Sequence, residues 1–298
     1  MEKRSKRAAV RVTKDTAIVL AVILAALLVW YFIDGQTGGQ VPAGECEITM
    51  IDVGQGDAFL LRSGDKTVLI DTGPVSGREK LDAILAGAGV GRIDCMILTH
   101  PHEDHIGNAH YIIKNYTVAR VMMPDATTNT YCFEKLLRAA DNAGLEIEVP
   151  ETGDVYEIGE MKFTVLFAPS EVPEDDLNLY SPIIRLDFGG VSALFTGDAE
   201  KWNEAEAIKR AGPLLDCDIL KVAHHGSDTS NSEEFIAAVS PAVGLISCEK
   251  GNEYGHPHAK ALKTFKKYGV TLYRTDREST VTVAIDGDGF RKVDKKAG

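Results

Sequence analysis

Three histidines and one aspartate fall within six residues in Thr99-His100-Pro101-His102-Glu103-Asp104-His105, in the order H-x-H-x-D-H. Imidazole and carboxylate are poor core fillers but good ligands. Neutral imidazole suits zinc, manganese and iron, and an added carboxylate favours a harder or paired divalent site. His100 and His102 can point to one position, while Asp104 and His105 can turn to a second beside it. A polar loop of solvated histidines is the bland alternative, but four potential ligands at fixed spacing rarely arise without a metal.

The chain around the cluster says how it is positioned. The apolar run Ile93-Asp94-Cys95-Met96-Ile97-Leu98 reads as a buried strand, so the cluster sits on the loop at its end, where α/β proteins bind ligands. Three further strand ends carry groups of the same kind: Asp71 after Thr67–Ile70, Asp198 after Val191–Thr196, and His224-His225 after Asp218–Ala223. Asp71 is expected to hydrogen-bond the free nitrogen of a metal-bound imidazole and fix its tautomer, rather than to ligate. Asp52 and Asp57 either support the same wall or serve as turn aspartates beside glycine. Strands at 48–53, 58–62 and 67–71 form an antiparallel meander, and strand and helix alternate afterwards, with helices expected at 106–116 and 131–143.

With 298 residues and 44% hydrophobic content, the chain can bury one full-sized core. The net charge of −12 argues against a broad basic face that grips nucleic acid. Five scattered cysteines, without C-x-x-C spacing, are assigned no role. Lys3, Arg4, Lys6, Arg7, Arg11 and Lys14 precede an uncharged apolar run from Ala17 to Ile33, which ends in Trp30-Tyr31-Phe32-Ile33. That pattern predicts a basic cytoplasmic stretch (1–16), an uncleaved transmembrane anchor (17–33) and a flexible linker (34–45), with an α/β domain (46–292) outside the cell membrane and a short tail (293–298).

H-x-H-x-D-H after a strand resembles the signature of the metallo-β-lactamase fold, an αββα sandwich. The resemblance implies two divalent ions, zinc or manganese: His100, His102 and Asp198 on one, and Asp104, His105, Asp198 and one histidine of the 224–225 pair on the other. His224, nearer the strand end, is the expected member of that pair. Many members of the fold have a further histidine before the bridging aspartate. Here the histidine between His105 and Asp198 is His110, on a helix, so Asn178 or water is expected to fill the gap. Such a site activates water for attack on an electrophile and stabilises the developing oxygen charge. Asp104 or Asp198 could accept the proton, and His225 or His256 could donate to the leaving group.

Longer strings narrow the resemblance. Asp52-Val53-Gly54-Gln55-Gly56-Asp57-Ala58, Leu98–Gly107, Phe195-Thr196-Gly197-Asp198, Leu220–Ser227 and Tyr254-Gly255-His256-Pro257 are similar to the C-terminal domain of ComEC-type DNA internalisation proteins. That resemblance implies a metal-dependent nuclease acting on DNA phosphodiesters. The family's multi-helix channel has no counterpart in these residues, so the expected partner is a separate DNA-uptake channel. Lys260, Lys263 and Lys267 form a basic strip that could guide a phosphate backbone, or simply a solvated helix face. The competing readings are a cell-envelope phosphoesterase, acting on phosphocholine or teichoic-acid esters, and a tethered, non-catalytic binding factor.

Overall fold

A computed structural model describes residues 41–293. The expected anchor at 17–33 lies outside the described residues, and no helix among those described is long and apolar enough to cross a membrane. The chain opens with the antiparallel strands β1 (Glu45–Met50), β2 (Phe59–Ser63) and β3 (Lys66–Ile70), continues in parallel through β4 (Cys95–Ile97), β5 (Val121–Met122) and β6 (Ile147–Glu148). A second sheet follows, made of β7 (Val155–Ile158), β8 (Met161–Phe167), β9 (Ile183–Phe188), β10 (Val191–Phe195), β11 (Ile219–Lys221), β12 (Val243–Ile246) and β13 (Thr271–Arg274). The chain then returns to the first sheet with β14 (Val281–Asp286) and β15 (Gly289–Val293). The orders are β15-β14-β1-β2-β3-β4-β5-β6 and β13-β12-β11-β10-β9-β8-β7.

Side-chain alternation along each strand builds the layers. Phe59 and Leu61 of β2, Val68 and Ile70 of β3, and Val191, Ala193 and Phe195 of β10 meet between the sheets. The intervening Leu60 and Leu69 face the other way, under the helices α1 (Arg78–Gly87), α2 (Glu103–Ile106), α3 (Ala109–Asn115) and α4 (Tyr131–Ala143). Leu194 and Leu220 likewise lie under α5 (Lys201–Ala211), α6 (Glu233–Val239) and α7 (Ala259–Lys267). The result is the expected αββα sandwich. Cys46, Cys95, Cys132, Cys217 and Cys248 are buried free thiols within it.

Several boundaries differ from the sequence expectation. The helix predicted over 106–116 is two pieces, because Asn108 leaves the helical path and donates its side-chain amide to the carbonyls of Thr72 and Pro74 (3.0 and 2.6 Å). β15 was not anticipated: it pairs with β14 across the turn Gly287-Asp288, where Gly287 adopts φ 56°. By contrast, α4 spans the predicted residues and ends at Gly144, whose left-handed φ of 66° closes it.

Candidate metal centre

In each sheet the parallel strands deliver their C-terminal ends to one edge of the sandwich: β3 and β4 run parallel, as do β10, β11 and β12. At that edge His105 Nε2 comes within 3.3 Å of Asp198 Oδ2 and 3.7 Å of Asp104 Oδ2. His225 Nε2 lies 3.4 Å from Asp104 Oδ2 and 3.5 Å from Asp198 Oδ2. Asp104, His105, Asp198 and His225 thus offer ligand atoms that all lie within 4.8 Å of one another.

The two imidazoles are aimed. Asp71, itself at a left-handed φ of 58°, accepts from the Thr99 backbone N–H and hydroxyl (both 2.8 Å) and lies 2.8 Å from His105 Nδ1. His225 Nδ1 lies 2.8 Å from the Ser247 carbonyl, an acceptor, so it carries the hydrogen. In both rings Nδ1–H is thereby engaged and Nε2 is the atom turned to the centre, where a cation would take the place of its proton. The buried Nε2 atoms of His105 and His225, Oδ1 of Asp198 and Oδ1 of Asn178 have no hydrogen-bond partner. Buried polar atoms are normally paired, so this convergent set fits divalent cations.

His225, not His224, joins the group. Both residues sit at positive φ (49° and 52°), and this doubly left-handed turn swings consecutive side chains apart. His224 turns to the cleft wall, with Nδ1 3.2 Å from Thr229 Oγ1 and 3.4 Å from Glu200 Oε1 and Nε2 3.7 Å from Asp198 Oδ2. His100 and His102 lie side by side, their facing nitrogens 2.9 Å apart, with His100 fully buried. Asn178, brought in by the turn Leu177–Tyr180, lines the same cleft as His102, Asp104 and Asp198.

Of the two turn aspartates, Asp57 is at the site and Asp52 is not. Asp52 accepts from the Gly54 N–H (3.3 Å) and pairs with Lys80 (3.2 Å), so its expected support of the site wall is corrected to a turn role. Asp57 is buried and pairs with Lys221 Nζ at 2.5 Å. Lys221 also donates to the Gly197 carbonyl (2.5 Å) and stands 3.5 Å from Asp198 Oδ1. This buried lysine escaped the sequence reading, although alternation places it in phase with Ile219, on the inter-sheet face at the strand end. Gly56 shows how tightly the turn abuts the metal loop: at φ 142°, a Cβ there would lie 2.2 Å from the Asp104 carbonyl oxygen. Lys260, Lys263 and Lys267 are exposed on α7, none of them lines the cleft, and Lys267 pairs with Glu233 at 2.5 Å. His110 is buried on α3, away from the group.

Electrostatics follow from this packing. Burial opposes charge on His105, yet Asp198, Asp104 and Asp71 hold its pKa well above the usual 6.5; His225 is raised in the same way against burial, chiefly by Asp198 and Asp57. Burial would also raise Asp198, but His225, His105 and His224 hold it well below the ordinary carboxylate range. His100 is lowered by burial and by the charge on His105. In the metal-free protein the raised imidazoles contribute stability that is fully present below pH 6.5 and lost as pH rises through their folded values. A cation must displace those protons. Metal uptake near neutral pH is therefore expected to release protons and to tighten as pH rises, which calorimetry in buffers of different ionisation enthalpy measures directly.

The model for the metallo-beta-lactamase superfamily matches residues 51–249. ComE operon protein 3 of Bacillus subtilis (strain 168) is 36% identical over 257 residues, which cover 80% of this chain and 33% of that protein. Competence protein ComA of Neisseria gonorrhoeae is 28% identical over 254 residues, covering 84% and 34%. The chain thus spans about a third of the length of these curated relatives. Among solved structures, the metallo-beta-lactamase fold protein YhfI of Bacillus subtilis superposes with a TM-score of 0.55 at 13% identity, over 84% of this chain and 100% of that one, a likeness of fold alone. The resemblance carried by the five sequence strings is borne out. The chain belongs to the metallo-β-lactamase superfamily, a fold that binds divalent metals, and its homologues include competence proteins of the ComEC type.

Proposed function

We propose that the protein is a membrane-anchored, extracytoplasmic, metal-dependent nuclease of the ComEC-like kind, cleaving DNA phosphodiesters outside the membrane beside a separate uptake channel. The observation that carries the hydrolytic part is the convergence of Asp104, His105, Asp198 and His225, whose buried Nε2 atoms have no hydrogen-bond partner. The kinship with ComE operon protein 3 and ComA supports DNA as substrate. The basic residues before the apolar run 17–33 support the anchor and its orientation.

In this reading Asp104, His105, Asp198 and His225 hold one divalent ion, zinc or manganese. His100 and His102, with Asp198 and the Asn178 amide oxygen, hold a second. Such ions supply a lowered pKa for water and stabilisation of charge on a phosphoryl oxygen. The chain supplies the rest. Asp71 and the Ser247 carbonyl keep His105 and His225 in the binding tautomer. Asp104, whose side chain keeps 32% exposure, faces the cleft and accepts the nucleophile's proton. His256 and the Glu200-backed His224 stand on the cleft wall as donors to the leaving oxygen.

The test is incubation of the purified protein with linear single- and double-stranded DNA and with bis-p-nitrophenyl phosphate, under manganese, zinc or chelator. DNA degradation that chelator stops and added metal restores is the expected result. Cleavage of the small diester with DNA left intact would redirect the search to cell-envelope phosphoesters.

A further inference from the structure

An open cleft of about 700 Å³ leads down to Asp104, Asp198 and His225. On its rim Tyr254 is 59% exposed, with its ring open to whatever enters the cleft. The phenol lies nearly parallel to the His256 ring, with centroids 5.7 Å apart and an interplanar angle of 23°. His256 in turn stands 5.4 Å from the His224 ring and 6.1 Å from His225. A staircase of rings therefore descends from solvent to the floor of the cleft.

The backbone that carries these rings is pinned. Asn252 donates to the His256 carbonyl (2.7 Å) and accepts the His256 N–H (2.9 Å). His258 Nδ1 accepts the Asp228 N–H (3.0 Å), so its Nε2 carries the hydrogen and donates to the Tyr254 carbonyl (3.0 Å). Both anchors act on the backbone and leave the outer face of Tyr254 open. Lys250 lines the same cleft, among Glu103, Glu249 and Glu253, and is the lysine there that can meet a phosphate.

We propose that Tyr254 is a stacking platform for one nucleobase of a single DNA strand, set beside the phosphodiester that reaches the cleft floor; the proposal rests on the nuclease reading above. Flat, exposed aromatic rings are how sequence-tolerant proteins hold unpaired strands, because every base offers a π-face. The floor explains why the strand is single. Asp198 and His225 are 2% and 1% exposed, so the scissile phosphate must descend between walls. A duplex can lay a base on Tyr254 only by unpairing and unstacking it, at a cost of about a few kcal/mol that an unpaired strand does not carry.

The test compares KM and kcat for a thymidine oligonucleotide with those for the same backbone lacking bases, in the unaltered protein, Tyr254→Ala and Tyr254→Phe. The unaltered protein is expected to favour the base-bearing strand through KM by about 5- to 100-fold. Tyr254→Ala should reduce that ratio towards one, and Tyr254→Phe should restore it. A second readout needs no turnover: 2-aminopurine in a phosphorothioate single strand should be quenched on binding, and less so with Tyr254→Ala. Cleavage of DNA with ratio and quenching the same in Tyr254→Ala would overturn the platform and leave the nuclease reading standing. Absence of both binding and cleavage in the unaltered protein would overturn both.

Discussion

Replacing Asp198 with asparagine is expected to lower metal-dependent hydrolysis by about a thousandfold or more, while leaving the fold intact. Asp198 is the group on which the site converges: its Oδ2 lies 3.3 Å from His105, 3.5 Å from His225 and 3.7 Å from His224, and its Oδ1 has Lys221 at 3.5 Å. Asparagine keeps the size and shape, so packing is preserved. It removes the charge that draws the cation and offers one oxygen where the carboxylate offers two. The expected kinetic signature is a fall in kcat at saturating metal together with weaker metal binding. A loss below tenfold would mean that Asp198 is not a ligand.

The second large effect is on stability. Lys221→Met is expected to destabilise the metal-free protein by about 3–5 kcal/mol, read from chemical denaturation. Lys221 is 2% exposed and pairs at 2.5 Å with an aspartate as deeply buried as itself. Burial works against its charge, but Asp57 and Asp198 raise its pKa above the ordinary lysine value. Methionine fills much of the same volume, yet it removes the nearest counter-charge of Asp57, leaving that buried carboxylate beside Asp71 with only the more distant His225 (3.5 Å) and His105 (3.9 Å) to offset it. Adding Asp57→Asn should recover a large part of the loss, since the remaining neutral group no longer needs a counter-charge. A single-variant effect under 1 kcal/mol would show the pair to behave like a solvated surface ion pair.

Much of this was legible in the chain because local chemistry and tertiary role coincide. The alternation of Phe59, Leu60 and Leu61 matches their opposite faces, and the H-x-H-x-D-H loop lies at the end of β4, as an abrupt change from apolar to ligand-type residues implies. The choice within His224-His225 was not legible. It depends on two successive positive-φ residues, which no side-chain pattern announces because neither is glycine. Asp52 and Asp57 share the same glycine-rich turn, and what separates them is Lys80 on one side and Lys221 on the other, contacts made across the fold. Lys221 did leave a trace, a charge in phase with Ile219 inside an apolar strand, where a buried partner is required.

Manganese titration of the unaltered protein, His225→Ala and His224→Ala, followed by the loss of the free-ion paramagnetic signal, tests the centre most directly. The account predicts that His225→Ala abolishes the tight site and that His224→Ala retains it. Retention of tight binding by His225→Ala, with its loss in His224→Ala, would contradict the assignment of Asp104, His105, Asp198 and His225 as the metal centre.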